Sequence, residues 1–465
     1  MFSLAASRIT AGLITFFVYI KLVTFLGPDD FGRFSLVLAF YTIFLLFIDL
    51  GMSRYVIKKV SEDESRGAEY LGNFLILQFF AATLIFLLFI ILPRDFNYDR
   101  AVTDSMLLAG AGLFLAAVAL PFSAVLQAVQ KIHLVALIYF LHSLINAGWM
   151  IYAIIAGKEL VFIFWAFIIF GIADLALYIV FTRKITLPKF RIDGMLIKNM
   201  LILGLPFAFI SGFEIAIQKI DVVIQKLFLP FSEIGLYSSA YRFLDFLTFL
   251  PAVVAISLFP YFSSRADLNE AEPLNTINNL NRYMWTLAMP LGVFATILGR
   301  DIILTLFDER YLGSVLPFQI LIWVTALTLV YAVPNVMMIV KQTRRTLYIL
   351  LGIVVINAAL NFLLVPVYGI LASAWITVAS YAVSAILYIA FTKRQVRYRI
   401  FSYASWPIAA AAVCGVLLWQ IRGSVNFVLS GLAVSIIYFL ILFAVRYLKR
   451  EDIAFLRSIF RREIA

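Results

Sequence analysis

The sequence predicts an all-α integral membrane protein of about fourteen transmembrane helices, and three observations carry that prediction. Of its 465 residues 64% are hydrophobic and 14% charged, where soluble domains hold roughly half and about a quarter. The mean hydropathy is +1.01, more apolar surface than a water-soluble fold can bury. Apolar runs of about 20 residues, long enough to cross ~30 Å of hydrocarbon, recur along the whole chain. The single cysteine, Cys414, excludes an intrachain disulfide and a cysteine metal cluster.

The first run, 2–26, carries Ser3, Ser7, Arg8 and Thr10 at its start and no small-residue cleavage site after it, so it reads as a mature helix rather than a signal peptide. The runs that follow are 33–50, 70–93, 104–128, 132–156 and 159–182. The fifth holds both histidines, His133 and His142, nine residues apart and so on opposite sides of a helix. They cannot share a metal; His133 suits the interface, and His142 a hydrogen bond, with Asn146 one turn on. The second half runs 199–227, 233–262, 282–306, 313–340, 345–365 and 368–391, then 401–420 and 424–445.

The charge of +11 would suggest nucleic acid in a soluble protein, but its placement points to a membrane. Of the 37 Lys and Arg, 25 fall in alternate loops and the C-terminal tail, 8 in the loops of the other side, and Arg8, Lys21, Lys219 and Arg242 inside helices. The positive-inside rule then predicts that both termini are cytoplasmic, and the expected location is the cell (inner) membrane, crossed many times. The basic groups Arg183, Lys184, Lys189, Arg191 and Lys198, and Lys393, Arg394, Arg397 and Arg399, suit anionic lipid headgroups. No nucleic-acid partner is expected.

The longest loops, 51–69 and 263–281, lack a glycine-rich phosphate cradle, paired catalytic carboxylates or a histidine cluster. Gly157-Lys158 lacks the glycines of a P-loop. The chain is therefore not expected to be an enzyme or to carry a cofactor, and any energy input would come from a proton or sodium gradient or the membrane potential.

Charges in lipid are costly and point to function. In the seventh helix Glu214, Gln218, Asp221 and Gln225 fall within about 60° of one another, a polar stripe on one face. In the eighth, Ser238, Arg242 and Asp245 make a second stripe, with Arg242 and Asp245 spaced to pair. Two readings fit: an ion-pair network joining helices, or a hydrated cavity for an anionic or sugar-bearing substrate, whose phosphate Arg242 would grip with its guanidinium fork. Arg8 and Lys21 point to opposite faces of the first helix, and each either reaches the cavity or snorkels to its interface. Asn357 with Asn361, and Asn73 with Gln78, suit hydrogen bonds between helices.

An internal repeat is also visible. Asp30-Phe31-Gly32-Arg33-Phe34-Ser35 aligns, at an offset of 203, with Glu233-Ile234-Gly235-Leu236-Tyr237-Ser238. Six helices separate the copies, so both halves cross the membrane in the same sense: a parallel repeat about an axis along the membrane normal, with the natural site at the midplane.

Leu26-Gly27-Pro28-Asp29-Asp30-Phe31-Gly32, Ile220-Asp221, Ile234-Gly235-Leu236-Tyr237-Ser238-Ser239-Ala240, Phe259-Pro260 and Gly352 to Gly369 (with Asn357, Asn361 and Pro366) resemble the polysaccharide-transporter branch of the multidrug/oligosaccharidyl-lipid/polysaccharide exporter superfamily. The resemblance spans nearly the whole chain. It implies two six-helix lobes in pseudo-twofold repeat, 1–182 and 199–392, joined by a basic cytoplasmic linker, 183–198, with two helices and a basic tail in 393–465. It also implies a flippase that carries a polyprenyl (pyro)phosphate-linked oligosaccharide to the outer leaflet, working as a monomer and associating with glycan polymerase or assembly proteins. Ser7-Arg8-Ile9 and Ala240-Tyr241-Arg242 are similar to cavity-facing arginine stretches of the lipid II flippases, but Ile14 stands where those carry a second arginine. A lipid II flippase and a drug/cation antiporter are the alternatives; Arg242 argues against the antiporter.

Overall fold

A computed structural model describes residues 2–247, 249–263, 268, 270–423, 426–449 and 452. Every regular element among them is helical, as composition demanded. The chain divides into two compact units, residues 3–238 and 239–465.

The first unit is built from α1 (Phe2–Asp49), α2 (Met52–Glu62), α3 (Gly67–Asp95), α4 (Arg100–Ala128), α5 (Ile132–Ile155), α6 (Leu160–Thr182) and α7 (Gly194–Phe228), and it includes the start of α8 (Phe231–Leu247). Helix α4 is its axis, packed against α3 and α6. Small residues make that possible: a Cβ on Gly110 would stand 2.7 Å from the Phe89 Cβ, and one on Gly112 2.5 Å from the Phe167 Cβ. In lipid, such close backbone approach supplies the packing that burial from water supplies elsewhere. The basic linker is pinned to α3: Lys189 N donates to Ala68 O at 2.9 Å, Asn73 Nδ2 donates to Arg191 O, and Asp193 N donates to Asn73 Oδ1, each also at 2.9 Å. Gln78 reaches the Ile48 carbonyl at 3.0 Å. Asp193 then caps α7 by accepting from Met195 N and Leu196 N, satisfying amides left open at a helix start.

The second unit holds the rest of α8, then α9 (Phe249–Ser263), α10 (Ala271–Ile297), α11 (Gly299–Leu306), α12 (Val315–Val330), α13 (Ala332–Lys341), α14 (Thr343–Lys393), α15 (Ser405–Ile421) and α16 (Phe427–Ala444). Phe294, Leu298, Ala411, Leu418 and Tyr438 form a buried core that joins α10 to α15 and α16, with Cys414 inside it. Asn361 Nδ2 donates to Asn357 Oδ1 at 3.0 Å, Ser373 Oγ to Asn361 Oδ1 at 2.7 Å, and Asn357 Nδ2 to Ser380 Oγ at 2.9 Å. These bonds tie together the two halves of α14. Apolar side chains such as Phe80, Trp375 and Trp419 stand more than 60% exposed, as surfaces solvated by lipid do.

By length and apolarity, nine helices among the described residues qualify as membrane spans, eleven when two bent pairs each count as one. Two of the nine are double length. Helix α1 carries the first two expected runs on either side of Gly27 (φ 69°, ψ 171°), and α14 carries the eleventh and twelfth on either side of Gly369 (φ 60°, ψ −149°). One glycine therefore does what the sequence reading gave to a loop. Two other expectations need correction. Residues 51–69 are not a plain loop, because Met52, Val56 and Val60 bury one face of the short helix α2. The run 282–306 is not one straight helix but α10 and α11, bent by 71°.

Candidate functional site

The polar stripe of α7 and the start of α8 meet within the first unit. Asp221 and Gln225 are fully buried, Glu214 and Gln218 half-buried. One Asp221 carboxylate oxygen accepts from the Val222 amide at 2.8 Å, and the other accepts from the hydroxyl of Tyr237 on α8, itself fully buried. In this conformation helix α8 thus holds Asp221 away from solvent. Glu214, two turns earlier, lies within electrostatic reach of Arg54 on α2. Further along α8, Arg242 and Asp245 form the ion pair their spacing predicted, Nη1 to Oδ2 at 3.5 Å, with 19% and 28% of their side chains exposed. Both are half-buried and neither is sealed in. The Arg8 side chain lies outside the described residues.

The repeated motif turns out to be a contact. A Cβ on Gly32 would stand 1.9 Å from the Phe231 carbonyl oxygen, and one on Gly235 would stand 1.8 Å from that of Pro28. Pro28 and Phe231, like Gly32 and Gly235, are equivalent positions of the repeat, so each copy's glycine rests on the other copy's carbonyl. Around this crossing Arg33 is bound by Asp29, by Asp30 at 3.0 Å and by Asp99 at 2.7 Å. Its guanidinium lies 4.8 Å from the centre of the Phe231 ring, and the Lys226 ammonium lies 4.1 Å from the same ring. Such cation–π contacts are worth ~0.5–1 kcal/mol each at exposed sites. The sequence showed the repeat; no spacing in it showed that the two copies touch.

A second polar place was visible in the sequence only as a hydrogen-bonding His142 with Asn146 one turn on; its partner and its cavity were not. His142 Nδ1 on α5 lies 2.6 Å from Asp174 Oδ2 on α6, beside a cavity of about 350 Å³ lined also by Tyr41, Ser123, Asn146, Phe170 and Tyr178. Asp174 was detectable as a lone carboxylate inside an apolar run, where a charge costs ~2.5–3.5 kcal/mol on insertion scales. Its partner sits 32 residues away on another helix, beyond any helical spacing. Among the described residues no group of three or more His, Cys, Asp or Glu side chains is placed to hold a metal ion.

Double-length helices broken at glycine and polar residues set inside apolar spans define an all-α, multi-pass membrane protein. A family model described as "Polysaccharide biosynthesis protein" matches residues 22–316, more than half of the chain, and the chain belongs to that family. Among solved structures it is similar to the lipid II flippase MurJ in an inward closed conformation, with a TM-score of 0.73 and 14% identity over 96% of this chain and 100% of that one. It is also similar to an inward-facing multidrug resistance MATE family transporter of the MOP superfamily, with a TM-score of 0.67 and 15% identity over 86% and 99%. A MOP superfamily transporter from Pyrococcus furiosus matches with a TM-score of 0.60 and 13% identity over 84% and 94%. Among curated proteins, none matches the chain in sequence. The superfamily resemblance and the all-α membrane class read from the sequence are borne out.

Proposed function

We propose that the protein is a flippase that moves a polyprenyl (pyro)phosphate-linked oligosaccharide from the cytoplasmic to the outer leaflet of the cell membrane by alternating access. The observation that carries this reading is the conjunction of a polysaccharide-biosynthesis family match with a transporter fold. Arg242 adds to it: a half-buried arginine within an apolar chain offers a planar fork suited to phosphate oxygens.

In this mechanism Arg242, with Arg8, binds the (pyro)phosphate, and Asp245 orients Arg242. Glu214, Gln218, Asp221 and Gln225 meet the sugar hydroxyls when α7 and α8 move apart. The prenyl tail stays in lipid, and lobes 1–182 and 199–392 rock to carry the headgroup across. The termini face the cytoplasm, the monomer is the working unit, and glycan polymerase or assembly proteins receive the product. An ion gradient or the membrane potential drives the cycle, with no bound cofactor.

The test is reconstitution into liposomes carrying a fluorescent polyprenyl-pyrophosphate oligosaccharide, with quenching of the outer leaflet as the readout. The expected result is flipping without ATP, reduced when ion gradients collapse. Strict dependence on ATP in the purified system, or no flipping above empty liposomes across oligosaccharide types, would overturn it.

A further inference from the structure

Helices α5 and α6 bring together two ionisable groups that the mechanism above leaves unused. At ~1.5 Å per residue, His142 stands about 15 Å from the Ile132 end of α5 and Asp174 about 12 Å from the Thr182 end of α6, so the pair lies at one depth well inside the membrane. The Nδ1 to Oδ2 distance is 2.6 Å, with 38% and 23% of the two side chains exposed. The imidazole packs edge-on against Phe170, ring centres 5.8 Å apart, which fixes its plane.

The groups facing the pair come from every helix around the cavity. Tyr41 of α1 and Tyr178 of α6 both lie within electrostatic reach of Asp174, Tyr178 is hydrogen-bonded to Ser123 of α4, and Asn146 is on α5. Among the described lining residues His142 is the one basic group and Asp174 the one acid. The charge of this space therefore changes by one unit with a single proton. With a neutral imidazole beside a carboxylate it is negative; with an imidazolium it is neutral. A cavity of about 350 Å³ with this lining also has room and polar partners for several waters, the path a proton needs.

We propose that the His142–Asp174 cavity is a proton-binding site: His142 takes up a proton on its ring, Asp174 compensates the resulting charge, and the cavity couples the cycle to a proton gradient. The coupling half of this statement rests on the transport reading given above; the proton-binding half does not. A purely structural hydrogen bond between α5 and α6 would need no change of charge, which is what the experiment separates.

The protein has two histidines, so the chain labelled with ¹⁵N-histidine in lipid nanodiscs shows two pairs of ring-nitrogen signals, and His133→Gln assigns them. Over roughly pH 5 to 8, where histidine titrates, His142 is expected to show a single protonation step. In Asp174→Asn the midpoint of that step is expected to move, because the carboxylate 2.6 Å from the ring is gone. A His142 signal that does not titrate, or an Asp174→Asn midpoint equal to the wild type, would overturn the site. For coupling, His142→Asn keeps a donor towards Asp174 but cannot carry the proton. Its vesicles should equilibrate lipid-linked oligosaccharide yet ignore an imposed proton gradient, and a wild-type gradient response would overturn the coupling. If the wild-type protein flips no such lipid while His142 titrates as described, the transport reading fails and the proton site stands.

Discussion

The Arg242–Asp245 pair is where a single side chain separates structure from function. If the pair served only to hold α8, exchanging its members (Arg242→Asp with Asp245→Arg) would restore both folding and transport. The cavity reading expects the exchanged protein to fold and remain inactive. It also expects Arg242→Lys to fold while transporting roughly tenfold more slowly, since a point charge replaces a fork and one charge-assisted hydrogen bond is worth about that factor. Flipping rates at matched expression in the liposome assay check both. Wild-type transport by Arg242→Ala would remove this arginine from the mechanism. The spacing of three residues made the pair legible in sequence, because neighbours on one helix obey a fixed geometry. The His142–Asp174 and Tyr237–Asp221 bonds were not legible, because they depend on which helices become neighbours.

At the scale of helices, the informative residues are glycines, and they act in two different ways. Gly369 has φ 60° and open space around it, so Gly369→Ala should cost only backbone strain, ~1–3 kcal/mol. Gly32 and Gly235 stand against carbonyl oxygens closer than any real Cβ contact. Gly32→Ala and Gly235→Ala should each destabilise by at least ~1–3 kcal/mol through overpacking, and by similar amounts, since the contact is reciprocal. Thermal unfolding in one detergent checks this; a loss confined to one of the two would show that the crossing is not symmetric. Apolar runs announced the spans because lipid demands them, but the breaks were harder to read. Gly27 looked like a loop residue and Gly369 like the start of a span, yet both are single-residue breaks, whereas Met52, Val56 and Val60 are a buried helix face hidden among charges.

For the molecule as a whole, the 25 to 8 division of basic residues predicts sidedness. Reporter fusions after Lys184 and after Arg394 should read cytoplasmic, and one near Asp308 external; either of the first two reading external would reverse the orientation. The crossing at Gly32 and Gly235 also bears on which changes such a chain can accept. A contact in which one element's glycine rests on its partner's carbonyl, and the partner's glycine returns the contact, is the isologous arrangement of two identical subunits about a twofold axis. In a symmetric pair one glycine codon would have served both contacts. With the two copies joined in one polypeptide the same close approach takes two codons, and a change at either is no longer mirrored by the other. A Cβ at either glycine meets the other copy's carbonyl oxygen, so Gly32 and Gly235 are held together and neither position can change alone.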